Sequence, residues 1–128
     1  MNYLINVTAP PSSQTSLSAL RFCQALLKKG HNISRVFFYG DGVYNANSLL
    51  SPPTDENNME QLWRDFGGNE QVELVVCIAA AVRRGLLNEE EAKRYNKPAS
   101  NIQAPFIVSG LGQMIEGAVL ADRSLTFS

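Results

Sequence analysis

The side chains that react most readily near neutral pH are scarce in this 128-residue chain: two cysteines, Cys23 and Cys77, and one histidine, His31. Cys77 has the more informative surroundings. It lies in VELVVCIAAAVRRG (Val72–Gly85), where the branched apolar residues Val72, Leu74, Val75 and Val76 give way to three alanines and two arginines. A β-branched run bounded by polar residues reads as a buried strand, and an alanine run directly after it reads as a helix start. Cys77 therefore falls where a strand ends and a helix begins. In open α/β sheets that edge is where ligands and chemistry collect.

Two readings of Cys77 stay open on the pattern alone. A thiol reacts as its thiolate, which the free N–H groups and partial positive charge of a helix N-terminus favour. Arg83 and Arg84 add positive charge one to two turns on. Against this, cysteine is often fully buried and inert, and VVCIAAAV is an apolar run.

Cys23 belongs to a different setting. It falls on the stripe Leu17, Leu20, Cys23, Leu27 of a helix expected from Gln14 or Thr15 to Lys29, and it reads as core. The two cysteines form no C-x-x-C motif, so neither a disulfide scaffold nor a zinc site is expected, and a reducing cytoplasm fits. His31 sits in the turn before a strand, Ile33–Tyr39, whereas Cys77 ends one. A parallel sheet puts them at opposite edges, so no Cys–His dyad is assigned.

The elements that must hold Cys77 emerge from periodicity. Strands are expected at Tyr3–Thr8, Ile33–Tyr39, Val72–Val76 and Arg123–Phe127, with Phe106–Ser109 a short strand or an extended lead-in. A second helix is expected from about Glu56 to Phe66, with Met59, Leu62, Trp63 and Phe66 as its core face and Gly67–Gly68 as its end. Asn88–Tyr95 has an N-cap residue, acids first and basic residues last, and reads as a solvated helix. Gly40–Asn47 comes after the second strand and shares an edge with Cys77. Asp41 and Gly42 suit a tight turn, while Tyr44, Asn45 and Asn47 either serve the turn or line a pocket. SGLG (Ser109–Gly112) opens a further helix. It superficially resembles a dinucleotide fingerprint, but the third glycine position is Ile115, so nucleotide binding is set aside. The alternation of strands and helices implies one three-layer α/β domain over residues 1–128, with a mainly parallel sheet.

Composition narrows the function classes. The net charge is −1 and no basic run exceeds two residues, which argues against a nucleic-acid surface. No apolar run approaches a membrane span, and MNYLINVTAPP lacks the basic and long apolar parts of a secretory signal.

Taken together, GHNISRVFFYGDGVYNAN (Gly30–Asn47), VELVVCIAAAVRRG (Val72–Gly85), SNIQ (Ser100–Gln103) and SGLGQMIEGAVLADR (Ser109–Arg123) resemble the DsrE/TusD family of small sulfur-transfer proteins. The resemblance keeps order and spacing over nearly the whole chain, and the cysteine strand with its AAA-RRG continuation is its most specific piece. It implies a flavodoxin-like α/β/α domain with a five-stranded parallel sheet, and Cys77 as the residue that accepts a persulfide sulfur. It also implies paralogous TusB-like and TusC-like subunits in a heterohexamer, an upstream TusA-like donor and a downstream TusE-like acceptor. The sulfur would end in 2-thiouridine at the tRNA wobble position. No cofactor or metal is implied, and Cys23 matches no functional position. Two alternatives stand beside this: sulfur trafficking in dissimilatory sulfur oxidation, and a non-catalytic subunit or small-molecule binding module on the same fold.

The two cysteine environments generate a direct expectation. Under native conditions Cys77 alkylates faster than Cys23, because one begins a helix and the other lies on a core stripe. Peptide mass mapping after brief alkylation checks this, and equal rates would remove the distinction.

Overall fold

The structure is a computed structural model that describes all residues 1–128. Its elements are β1 (Asn2–Val7), α1 (Gln14–Lys28), β2 (Asn32–Phe38), a 3-10 turn (Gly40–Ala46), α2 (Met59–Glu70), β3 (Glu73–Cys77), α3 (Ile78–Arg83), α4 (Glu89–Arg94), β4 (Phe106–Ser109), α5 (Gly112–Leu120) and β5 (Arg123–Phe127). The strands form one sheet in the order β4-β3-β2-β1-β5, and every neighbouring pair is parallel. The lead-in at Phe106–Ser109 is a true strand, which completes the expected five.

Alternation along the strands sorts the layers. Leu4 and Arg35 are register partners. A Cβ built on Gly117 of α5 would stand 3.1 Å from Leu4 and 3.3 Å from Arg35, so α5 covers their face. Leu74 pairs with Val36 on the opposite face, and a Cβ on Gly67 of α2 would stand 2.7 Å from Leu74. From β1 to β4 the chain steps in one direction across the sheet. Right-handed crossovers then put α1, α2 and α3 on one face. The return from β4 to β5 crosses the whole sheet and lays α5 on the other.

The two faces are filled differently. Under α2, Trp63 stacks edge-on against Phe38 at 5.2 Å and Phe66 at 6.0 Å, and Phe38 meets Phe106 at 5.9 Å. Under α5 lies the buried Arg35, whose guanidinium donates to both the backbone carbonyl and the side-chain oxygen of Gln113. It also pairs with Glu73 and Glu116, each at 3.4 Å, while its Nε finds no partner.

Three expectations are corrected. The glycines Gly67–Gly68 do not end α2, which continues to Glu70 and closes on Gln71 in the left-handed region (φ 55°). Gly67 is needed for helix-to-strand approach, since any Cβ there would collide with Leu74. The same helix starts later than Glu56, because the Asn58 side chain accepts from the Gln61 N–H and fixes the N-cap. The helix around Asn88 is capped as expected, Asn88 accepting from the Glu91 N–H, but it is not wholly solvated. Glu91 and Ala92 are buried, and Arg94 holds the Glu91 carboxylate at 3.2 Å.

The segment after β2 is tightly fastened. A Cβ on Gly42 would sit 2.0 Å from the Val7 carbonyl oxygen, so only glycine lets the 3-10 turn lie on the end of β1. Asn45, fully buried, donates to the carbonyls of Ala9 (3.0 Å) and Gly42 (2.9 Å) and accepts from the Ser16 hydroxyl (2.7 Å). The same hydroxyl accepts from the Trp63 indole at 3.3 Å. One amide thus joins the loop after β1, α1 and the turn, and through the Ser16 hydroxyl reaches α2. Replacing Asn45 with alanine leaves several buried groups unsatisfied, and a loss of about 2–4 kcal/mol in urea unfolding is expected. A loss below about 0.5 kcal/mol would show that the network is not holding the turn.

Candidate functional site

Cys77 is the last residue of β3 and the N-cap residue of α3 (φ −64°, ψ 119°). The strand-to-helix junction expected from the sequence is therefore real. Its register partner across the sheet is Ser109, the last residue of β4. The helices that continue these adjacent strands diverge: α3 leaves toward one face of the sheet and α5 toward the other. Neighbouring strands whose connections part in this way open a crevice at their carboxyl ends, the usual ligand position in such sheets. Cys77 and Ser109 stand at that fork.

Local contacts fix the junction. Ala80 and Ala81 are buried, and their small side chains let α3 pack against the 3-10 turn. Arg84 reaches back along α3, donating to the Ala80 carbonyl at 3.0 Å and pairing with Asp41 of the turn at 3.0 Å. A surface pair of this kind contributes only about 0–1 kcal/mol, so its effect is to orient the helix. Gly85, at φ +78°, ends α3 in a conformation that favours glycine.

Of the two readings left open for the Cys77 thiol, the structure shows the buried one. Its residue is 1% exposed, and its sulfur accepts no capping hydrogen bond from the first turn of α3. Alternation from Leu74 and Val76 aims the side chain at the α5 face, with Glu73 and Val75. Reaction at this sulfur requires its cover to shift. Cys23 is fully buried in α1, and desolvation pushes its thiol up to about 12 against a smaller opposing backbone hydrogen bond. That environment is inert, as expected for a core position.

The remaining sequence candidates separate cleanly. His31 lies at the opposite sheet edge, with its Nδ1 3.4 Å from the N-terminal amine and its ring edge-on to Tyr3 at 5.5 Å, so it forms no dyad with Cys77. Asn45 is committed to the fastening network. Asn47 accepts from the Leu49 N–H, and Tyr44 is half-buried against the core. Asp41, read as a turn residue, is also the anchor for Arg84. Sequence reasoning missed Ser109 as the neighbour of Cys77; nothing short of the strand order would have paired them. No three His, Cys, Asp or Glu side chains lie close enough to hold a metal ion, and no helix is long and apolar enough to cross a membrane.

Comparison with known proteins agrees with this architecture. The sequence matches the DsrE/DsrF-like family over residues 1–127. It is 44% identical over 128 residues to the sulfurtransferase TusD of Salmonella typhi, covering 99% of this chain and 100% of that one. It is equally 44% identical to the putative sulfurtransferase DsrE of Allochromatium vinosum, covering 99% and 98%. The crystal structure of the Escherichia coli ychN protein superposes with a TM-score of 0.75 at 22% identity, over 99% of this chain and all of that one, and shows the fold alone. With a family match across its length and relatives of nearly half its sequence, this chain belongs to the DsrE/DsrF-like family.

Proposed function

We propose that this protein is a sulfurtransferase subunit in which Cys77 carries the sulfur. The observation that carries the reading is the position of Cys77 at the fork between β3 and β4, in a chain that aligns end to end with named sulfurtransferases. The chemistry suits a site with one thiol and no base. The Cys77 thiolate attacks the outer sulfur of a donor persulfide. A new sulfur–sulfur bond forms at Cys77 while the donor's breaks, and the donor leaves as a thiolate. A second exchange of the same kind passes the terminal sulfur to an acceptor thiol. Rate depends on thiolate fraction, nucleophilicity and access, and no proton needs to be placed by a second side chain.

In this reading the sulfur comes from a TusA-like carrier and goes to a TusE-like carrier for 2-thiolation of the tRNA wobble uridine, in a reducing cytoplasm. The equal identity to the Allochromatium DsrE supports a second reading, sulfur trafficking in dissimilatory oxidation, with the same step at Cys77. Partner subunits of the same fold, TusB-like and TusC-like, belong to the proposal. Its support is the surface: Ile107, Leu111, Ile115, Val119 and Leu120 are exposed along β4 and α5. Apolar residues gathered in this way mark interaction sites.

Intact-protein mass spectrometry after incubation with a persulfidated carrier tests the step. Wild type is expected to gain one sulfur, mapped to Cys77, and Cys77→Ser to gain none. No gain on wild type with the partner subunits present would leave a non-catalytic role. The exposed α5 surface leads to a separate expectation: the isolated chain self-associates in light scattering. A well-behaved monomer at micromolar concentration would count against obligate assembly.

A further inference from the structure

Cys77 has a hydroxyl-bearing neighbour at its own level on each side of β3. Ser109 of β4 is its register partner. On the other side, Phe38 pairs with Val76, and the extended backbone of Tyr39 (φ −137°, ψ 158°) carries β2 one step further, to the level of Cys77. Alternation along the strands points Tyr39, Cys77 and Ser109 to one face, that of α5. Cys77 is buried, Ser109 half-buried and Tyr39 exposed. None of the three side chains takes part in a hydrogen bond. The charged groups on this face, Arg35, Glu73 and Glu116, are paired with one another. Glu73 lies four residues, roughly 13 Å, down the strand from Cys77.

We infer that Ser109 is a catalytic residue of sulfur transfer, its hydroxyl donating a hydrogen bond to the Cys77 sulfur whenever that sulfur carries negative charge. The inference rests on the sulfur-transfer reading of Cys77 and adds a residue to that site. A negative sulfur among apolar neighbours is costly without a donor. Neighbouring strands lie about 4.8 Å apart, and the serine oxygen and cysteine sulfur each stand one bond beyond Cβ. The free hydroxyl can therefore turn onto the sulfur without any movement of backbone. Tyr39 cannot substitute, because its ring carries the phenol past a neighbour at its own level. In loading, the Cys77 thiolate attacks the outer sulfur of the donor persulfide, one sulfur–sulfur bond forms as the other breaks, and the donor leaves as a thiolate. In unloading, an acceptor thiolate attacks the outer sulfur and the Cys77 sulfur leaves as a thiolate. Ser109 bonds the same atom in both directions and keeps its proton throughout.

The test uses the full chain with its partner subunits. Glutathione persulfide loads it, reduced glutathione unloads it, and intact-protein mass spectrometry follows both. Hydrogen bonds to charged groups are among the stronger ones, and a sulfur in the exchange transition state carries roughly half its full charge. Ser109→Ala is therefore expected to slow loading and unloading alike, by roughly three- to tenfold, and to leave the final extent of loading unchanged. Ser109→Thr, which keeps the hydroxyl, is expected to recover rates to within about twofold of wild type, and Tyr39→Phe to stay within the same range. Wild-type rates in Ser109→Ala would overturn the role of Ser109. So would slowing in one direction only, failure of Ser109→Thr to recover, or equal slowing in Tyr39→Phe. In each of those cases loading of wild type at Cys77 leaves the sulfur-transfer reading standing. If wild type takes up no sulfur, acceptance at Cys77 is wrong and the role of Ser109 falls with it.

Discussion

The contact on which the site depends is between two pieces of backbone. Gly42 lies against the Val7 carbonyl at a distance that excludes any side chain, and Asn45 locks the approach by bonding to Ala9, Gly42 and Ser16. This presses the 3-10 turn down onto the end of β1. Because the turn is fixed there, Asp41 is held where Arg84 can reach it, and α3 is oriented by that pair. The start of α3 in turn sets the N-cap position that Cys77 occupies. A buried amide far from Cys77 in sequence thus fixes the turn against which the helix after Cys77 packs. Leaving its buried hydrogen bonds unmade carries a large penalty, which makes the arrangement stiff.

The fork at Cys77 arises from topology more than from side-chain partners. Three crossovers of one hand stack helices on one face, and a single long return places α5 on the other. Only between β3 and β4 do the outgoing segments part. A thiol transfer step needs a reachable sulfur and little else, so a fold that supplies a crevice supplies most of what the chemistry requires. Cys77 itself is buried at that fork, so a transfer step there would need its cover to move.

Much of this was legible in the sequence because its signals are local. The strand-to-helix junction at Cys77, the Asn88 cap and the core place of Cys23 can be read from periodicity and capping alone. The strand at Phe106–Ser109 was half-legible, since four residues carry too little pattern to separate a strand from a lead-in. The illegible parts depended on distant neighbours. Gly67 looks like a helix terminator until Leu74 is known to press on it. Asn45 looks like a turn or pocket residue until Ser16 and Ala9 surround it. The state of the Cys77 thiol stayed open between a buried and an activated reading for the same reason, because burial of a strand end depends on what the rest of the chain lays over it.

The fifth helix is built inside out. Toward the sheet it offers Gln113, Glu116 and the notch at Gly117 to a buried arginine, while Ile115, Val119 and Leu120 face outward. Half-exposed carboxylates around a guanidinium hold a helix weakly compared with a packed apolar seam, and salt screens them. The hydrophobic contribution that would normally seat this helix is still unused on its outer side. Any companion that covers that side therefore acts as a ligand of the folded state. By mass action its concentration enters the folding equilibrium of the chain, so the midpoint of unfolding rises with the amount of companion present.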